Sequence, residues 1–337
     1  MFSKLYTKIK KYIIENHNFI LFLILLTLVL NIKLPYIVER PGGIINLKNQ
    51  IKVDGKSIEG NFNSSYVSVN KGTVISVVMG LIVPNWDIVK LNEYTYDDID
   101  YDENFKLEKL SMNESHSIAL MVVFDKLSIP YTLKNEKLYV YYKDKDFKND
   151  LEYNDQIIKC DETDISGYDD LSNCIYNSTD NNVDLVVIRN GKKVSFNQKL
   201  HDQGDRKIIG VGIYRDNIVS SEYKVEFNNS SSESGPSGGF MDALALYDYF
   251  SKSNLSKGLK VAGTGTIDLD GYVGEISGIK YKLLGAEKKN VDVFFVPKAN
   301  YKEAVKIKKK HKLKINIVKV ETLDDAINYL EKLKKSN

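Results

Sequence analysis

The stretch from Ser230 to Pro297 constrains the fold more than any other. It opens on a polar run and a glycine-rich turn, Gly235-Pro236-Ser237-Gly238-Gly239, and passes into the apolar segment Phe240–Phe250. Glycine on both sides of Ser237 permits a sharp turn and a close main-chain approach to a ligand. An apolar run directly after such a turn predicts a helix, here over Met241–Phe250. A β-branched strand and a hairpin follow, then a second turn into a helix carrying Lys280 and Lys282, then the strand Val291–Val296. A serine hydroxyl needs a nearby base and preorganised N–H donors to act as a nucleophile. A lysine is that base only when burial or a second positive charge lowers its pKa. Lys282 precedes Leu283 and Leu284, a setting that can remove it from water; Lys280, two residues away, faces elsewhere on a helix. Only one of the pair can serve.

The rest of the chain narrows the alternatives. At 337 residues it is long enough for two compact domains with additions. A hydrophobic content of 43% and a charged content of 27% suit a chain that folds throughout. The net charge of +2 is too close to neutral for a nucleic-acid binder, and the lysines from Lys298 to Lys314 read as a solvated helix face. The two cysteines, Cys160 and Cys174, form no CxxC or Cys/His cluster, so no zinc site is expected. They read either as two buried thiols or as an extracellular disulfide. The acidic stretch Tyr94–Glu103 lacks the ligand spacing of a calcium loop. No GxxxxGK[ST] loop occurs; Gly55-Lys56-Ser57 ends like one, but Gln50 holds the place of its first glycine, which leaves a hairpin turn. Neither metal nor cofactor is expected.

Organisation reads from the N-terminus. Lys4, Lys8, Lys10 and Lys11 precede the unbroken apolar run Phe19–Leu30, and no small-residue cleavage site follows. Residues 1–34 therefore read as a cytoplasmic start and an uncleaved transmembrane signal anchor that contacts membrane lipid, with everything beyond Lys33 outside. Residues 35–104 read as a β-rich extracytoplasmic segment, with strands expected over 60–69 and 72–83. Residues 105–203 read as one small domain: a helix at 112–127, strands, a short amphipathic helix at 168–177, and a hairpin turning at Asn190-Gly191. Residues 204–337 form the last domain. The fold class is α+β.

Two resemblances follow from these motifs. The strand, short helix and "RNGK" hairpin resemble the C-terminal half of a bacterial PDZ domain. GPSGG, AGTGTIDLDGYVGEISGIKYKLLGA and FFVPKAN, spread over about 208–333, resemble the proteolytic domain of Lon-type Ser–Lys proteases. That family has GPSAG around its nucleophile, so the resemblance implies Ser237 as nucleophile, with Gly238 in place of Ala. It implies Lys282 as the base and Thr264 as the residue holding it. Ser277 replaces a glycine of the lysine turn, and Ser234 stands where the family has an acid. Main-chain N–H groups around Gly235 and Ser237 are expected to form the oxyanion hole. The whole layout resembles the membrane-anchored, ATP-independent Lon-like proteases with a PDZ domain found in Gram-positive bacteria. This implies an extracytoplasmic serine endopeptidase at the cell membrane that cleaves exported peptides or membrane-protein segments. Lon-type domains commonly form rings, so the resemblance includes a homo-oligomer among the partners.

Three rival readings remain. Ser277 and Lys280 fit SxxK, the penicillin-binding pattern, but no KTG accompanies them. A Ser–His–Asp triad would have to draw on His17, His116, His201 or His311. The departures at Gly238 and Ser277 suit a catalytically inactive, membrane-tethered PDZ-type binding protein.

Overall fold

The computed structural model describes residues 2–95, 99–144, 146–204 and 206–333. Residues 96–98 of the acidic stretch and 334–337 of the last segment lie outside the described residues. The chain is mixed helix and sheet, and it divides into two compact units: Met1–Pro41 with Val67–Tyr101, and Gly42–Tyr66 with Asp102–Asn337.

In the first unit, the helices Phe2–Glu15 and His17–Leu30 are separated only by Asn16. Main-chain hydrogen bonds cross that break, from Asn16 N–H to Tyr12 O at 3.0 Å and from Ile20 N–H to Asn16 O at 2.9 Å. None of the apolar side chains of His17–Leu30 is buried. Among the described residues, no helix is long and apolar enough to cross a membrane. Fourteen residues rise about 21 Å, against a hydrocarbon core of about 30 Å. The chain then enters the long strands Lys33–Asn46 and Phe62–Thr73, which run on into the second unit. Residues 72–83, expected as a strand, instead form the helix Val74–Ile82. Thr73 and Ser76 make a reciprocal capping box there, and that local signal outweighs the β-branched composition.

The second unit holds a sheet whose order, read inward from its edge, is Asn316–Val320, Val293–Pro297, Val261–Gly263, Phe62–Thr73 and Lys33–Asn46. The first four of these strands are mutually parallel neighbours. Alternation along the strands shows that both faces are covered. Val261, Val293 and Phe295 enter one core, while Ala262, Phe294 and Val296 enter another. The first core is closed by the helix Gly239–Ser251 (the serine helix), the helix Leu323–Lys332 and the long helix Tyr101–Leu127. The second is closed by the helix Ile279–Glu287 (the lysine helix) and the helix Lys298–His311.

A smaller subdomain with its own core lies between these segments in sequence. Its sheet runs Lys192–Lys199, Asn182–Arg189, Gln156–Cys160, Tyr131–Lys143, Val211–Ser221. Leu138, Val140, Leu171, Leu185 and Val187 fill its core. Asn190 and Gly191, both at positive φ, turn the expected hairpin. A disulfide joins Cys160 to Cys174 and ties the strand Gln156–Cys160 to the helix Tyr168–Asn177. The helix expected within this segment at 112–127 packs elsewhere. It extends over Tyr101–Leu127, and its Ala119, Val123 and Phe124 join the serine helix in the larger core.

Candidate active site

The serine and lysine helices cover opposite faces of one sheet, and both begin near the C-terminal end of the strand Val261–Gly263. Ser237 lies on a single 3₁₀ turn, Pro236–Gly238, that leads into the serine helix. Gly235 enters that turn at φ +94°, a conformation other side chains rarely adopt. The turn is fastened to the end of the strand: Gly265 N–H and Thr264 Oγ1 both donate to Ser237 O, at 2.8 and 3.1 Å. Phe240 N–H returns a bond to Gly265 O at 3.1 Å. From the long helix, Ser115 Oγ donates to Pro236 O at 3.0 Å.

Lys282 comes to this turn from the lysine helix, whose start is set by Gly278 in the left-handed region. Its Nζ lies 2.7 Å from Ser237 Oγ and donates to Thr264 Oγ1 at 2.9 Å. Thr264 is fully buried and Lys282 only 3% exposed. Burial disfavours the ammonium and lowers the Lys282 pKa to about 7, while the negative charge of Glu108 acts the other way. The hydrogen bonds also orient the lone pair. With Thr264 Oγ1 donating to Ser237 O, its oxygen accepts from the amine, and a neutral Lys282 keeps its lone pair for the serine hydroxyl.

Glu108, on the long helix, was not singled out by sequence. Its carbonyl accepts from Gly235 N–H at 3.0 Å, and a Cβ on Gly235 would stand 3.0 Å from its Oε2. Burial raises the Glu108 pKa, and the positive charge of Lys282 opposes that rise. The bond to Glu108 also corrects one expectation: the Gly235 N–H, assigned to the oxyanion hole, is already engaged. Ser64, on the strand Phe62–Thr73, was likewise missed. A Cβ on Gly238 would meet its Oγ at 3.0 Å, so an alanine there would require Ser64 to shift by a few tenths of an ångström.

The remaining candidates lie apart from this pair. Lys280 extends over the ring of Tyr281, 5.0 Å from its centroid, and Ser277 is exposed. His116 Nδ1 pairs with Asp242 at 3.0 Å and its Nε2 faces Asn229 Oδ1 at 3.0 Å, so neither ring nitrogen is left for Ser237. His201 Nε2 contacts Lys148 O at 3.1 Å. These bonds engage His116 and His201 away from Ser237.

Comparison with known proteins agrees with this geometry. Residues 216–332 match the family described as the Lon protease (S16) C-terminal proteolytic domain. The Lon protease of Mesomycoplasma hyopneumoniae is 36% identical over 98 residues, 29% of this chain and 11% of that protein. The Lon protease of Campylobacter jejuni is 29% identical over 150 residues, 42% of this chain and 19% of that protein. The Lon protease of Mycoplasmopsis agalactiae is 38% identical over 103 residues, 31% of this chain and 10% of that protein. The chain thus spans about a tenth to a fifth of the length of these curated relatives. Among solved structures, the PDZ domain of an SdrC-like protein from Listeria monocytogenes aligns at 20% identity and a TM-score of 0.21. That alignment covers 23% of this chain and 85% of the other, a score at which the likeness fixes no fold. The segment that carries the turn-borne serine and the buried lysine, residues 216–332, is thus similar to a Lon-type proteolytic domain.

Proposed function

We propose that the chain is a membrane-anchored, ATP-independent serine endopeptidase that acts outside the cytoplasm on exported peptides or membrane-protein segments. The observation that carries this reading is the 2.7 Å approach of Lys282 Nζ to Ser237 Oγ inside a buried, hydrogen-bonded setting. Neutral Lys282 takes the hydroxyl proton as Ser237 Oγ attacks the scissile carbonyl. The tetrahedral oxyanion rests on main-chain N–H groups of Ser237 and Gly238 at the start of the serine helix, where the helix dipole adds positive potential. Collapse expels the amine, which leaves with the proton from Lys282, and an ester remains on Ser237. Water, deprotonated by the same lysine, hydrolyses that ester and restores the serine. Thr264 keeps Lys282 aimed throughout. The Cys160–Cys174 disulfide favours an oxidising compartment, and the basic, apolar N-terminus favours an anchor. The smaller subdomain, with its PDZ-like motifs, presents or gates the peptide.

Peptides recovered from cells, and cleavage by the purified chain, test this together. Ser237→Ala and Lys282→Ala are each expected to lower turnover at least about a thousandfold, while Thr264→Ala lowers it less. Cleavage unchanged in the Ser237 and Lys282 variants would move the chemistry to other residues, and no cleavage by the unaltered chain would favour a binding protein on an inactive peptidase fold.

A further inference from the structure

The helix Val74–Ile82 presents its apolar side chains outward. Ile75, Val78 and Met79 are 44%, 45% and 38% exposed, and Leu81 and Ile82 are 77% and 70% exposed. Positions 75, 78, 79 and 82 form one stripe at helical spacing. The opposite side of the helix is the packed one. Gly80 sits there, and a Cβ on it would press into Ile88 Cγ1 at 2.8 Å. Residues 87–90, which include Ile88, pair antiparallel with Tyr36–Glu39. The helix is therefore held by its small-residue side with its large apolar residues facing solvent, the reverse of an ordinary surface helix.

Its position says what covers that stripe. Val74 N–H donates to Ile32 O at 3.1 Å, so the helix begins where the apolar helix His17–Leu30 ends. Trp86 follows its last turn, with the Arg40 guanidinium 5.1 Å from the ring centroid. The exposed Lys33 and Lys90 lie on the two paired strands of the same unit. An apolar stripe fringed by tryptophan, arginine and lysine, continuous with an exposed apolar helix, has the chemistry of a membrane-interface element.

We propose that Val74–Ile82 is a second lipid-contacting element, inserted shallowly into the outer leaflet beside the anchor helix. The proposal rests on the membrane-anchor reading above. It also compensates for the shortness of His17–Leu30, since a second apolar helix at its end adds lipid-facing surface.

Trp86 is the only tryptophan of the chain, so its emission reports on this element alone. The full chain is reconstituted in phosphatidylcholine–phosphatidylglycerol vesicles, with and without lipids brominated near the headgroup end of their acyl chains. Retention in the membrane after alkaline carbonate extraction reports on the anchor. Retention with at least about a twofold loss of Trp86 emission is expected, and the Leu81→Asp, Ile82→Asp variant should recover most of that emission while staying membrane-bound. Retention without quenching, as when a second copy covers the stripe, overturns the proposal and leaves the anchor standing. Quenching that persists in the variant also overturns it. Extraction of the chain by carbonate overturns both readings.

Discussion

Under the proposed mechanism Lys282 answers two opposed requirements. It must be buried enough to shed its proton near neutrality, yet remain able to hold one during the reaction. Burial brings its pKa to about 7, and the charge of Glu108 limits the fall. The base works only when neutral, so kcat/KM is expected to rise with pH through about 7 and then level. Glu108 favours the protonated lysine, and its removal must shift that rise to lower pH. Glu108→Gln is therefore predicted to raise kcat/KM at pH 6 at least about twofold relative to the plateau; a pH–rate profile on one peptide substrate checks this, and an unmoved profile would remove Glu108 from the site's electrostatics. The meeting of Ser237, Lys282 and Thr264 was legible in the sequence because all three lie within one stretch. The order of turn, strand end and helix start already implies a meeting point. Glu108 and Ser64 were not legible, because they reach the serine turn from segments that no local pattern links to it.

Single elements show where local patterns succeed and where they fail. The hairpin at Asn190-Gly191 was readable, since it depends on residues within one turn of one another. Val74–Ile82 was misread because its β-branched residues match a strand, while the Thr73–Ser76 capping box sets a helix. The state of Cys160 and Cys174 was undecidable from spacing, since a strand and a helix must first pack to bring their Cα atoms to 6.3 Å. The bridge closes a short loop across the smaller subdomain. Reduction is predicted to destabilise that subdomain by about 2–4 kcal/mol and to leave the dyad geometry intact. Hydrogen exchange with and without reductant would show this as faster exchange over Gln156–Arg189 with the serine and lysine helices unchanged. Loss of protection throughout the chain would mean that the two cores unfold as one.

At the scale of the molecule, the sequence order hides an interleaved arrangement. The segments that build the two cores around the larger sheet lie on both sides of the smaller subdomain: Tyr101–Leu127 before it, and the serine and lysine helices after it. The subdomain departs from and rejoins the chain at adjacent points, because Lys143 and Val211 are cross-strand partners in the pair Tyr131–Lys143 with Val211–Ser221. A reading from the N-terminus assigned the long helix to the wrong neighbour for this reason: helical spacing marks a buried face but not what buries it. Replacing residues 144–210 by an Asn-Gly turn, with Leu138, Val140 and Ile213 made polar, is predicted to leave cleavage of short unstructured peptides within about tenfold of the full chain. Loss of cleavage with the fold retained by circular dichroism would instead give the subdomain a part in the chemistry.

The most direct test of the Ser237–Lys282 pair is to trap the covalent intermediate. The purified chain is mixed with an activated peptide ester, quenched at intervals, and mapped by mass spectrometry at pH 6 and pH 9. A single acyl adduct on Ser237 is predicted, forming faster at pH 9 than at pH 6 and at least about a hundredfold more slowly in Lys282→Met. An adduct on another residue, or acylation of Ser237 at a rate indifferent to Lys282, would contradict the account.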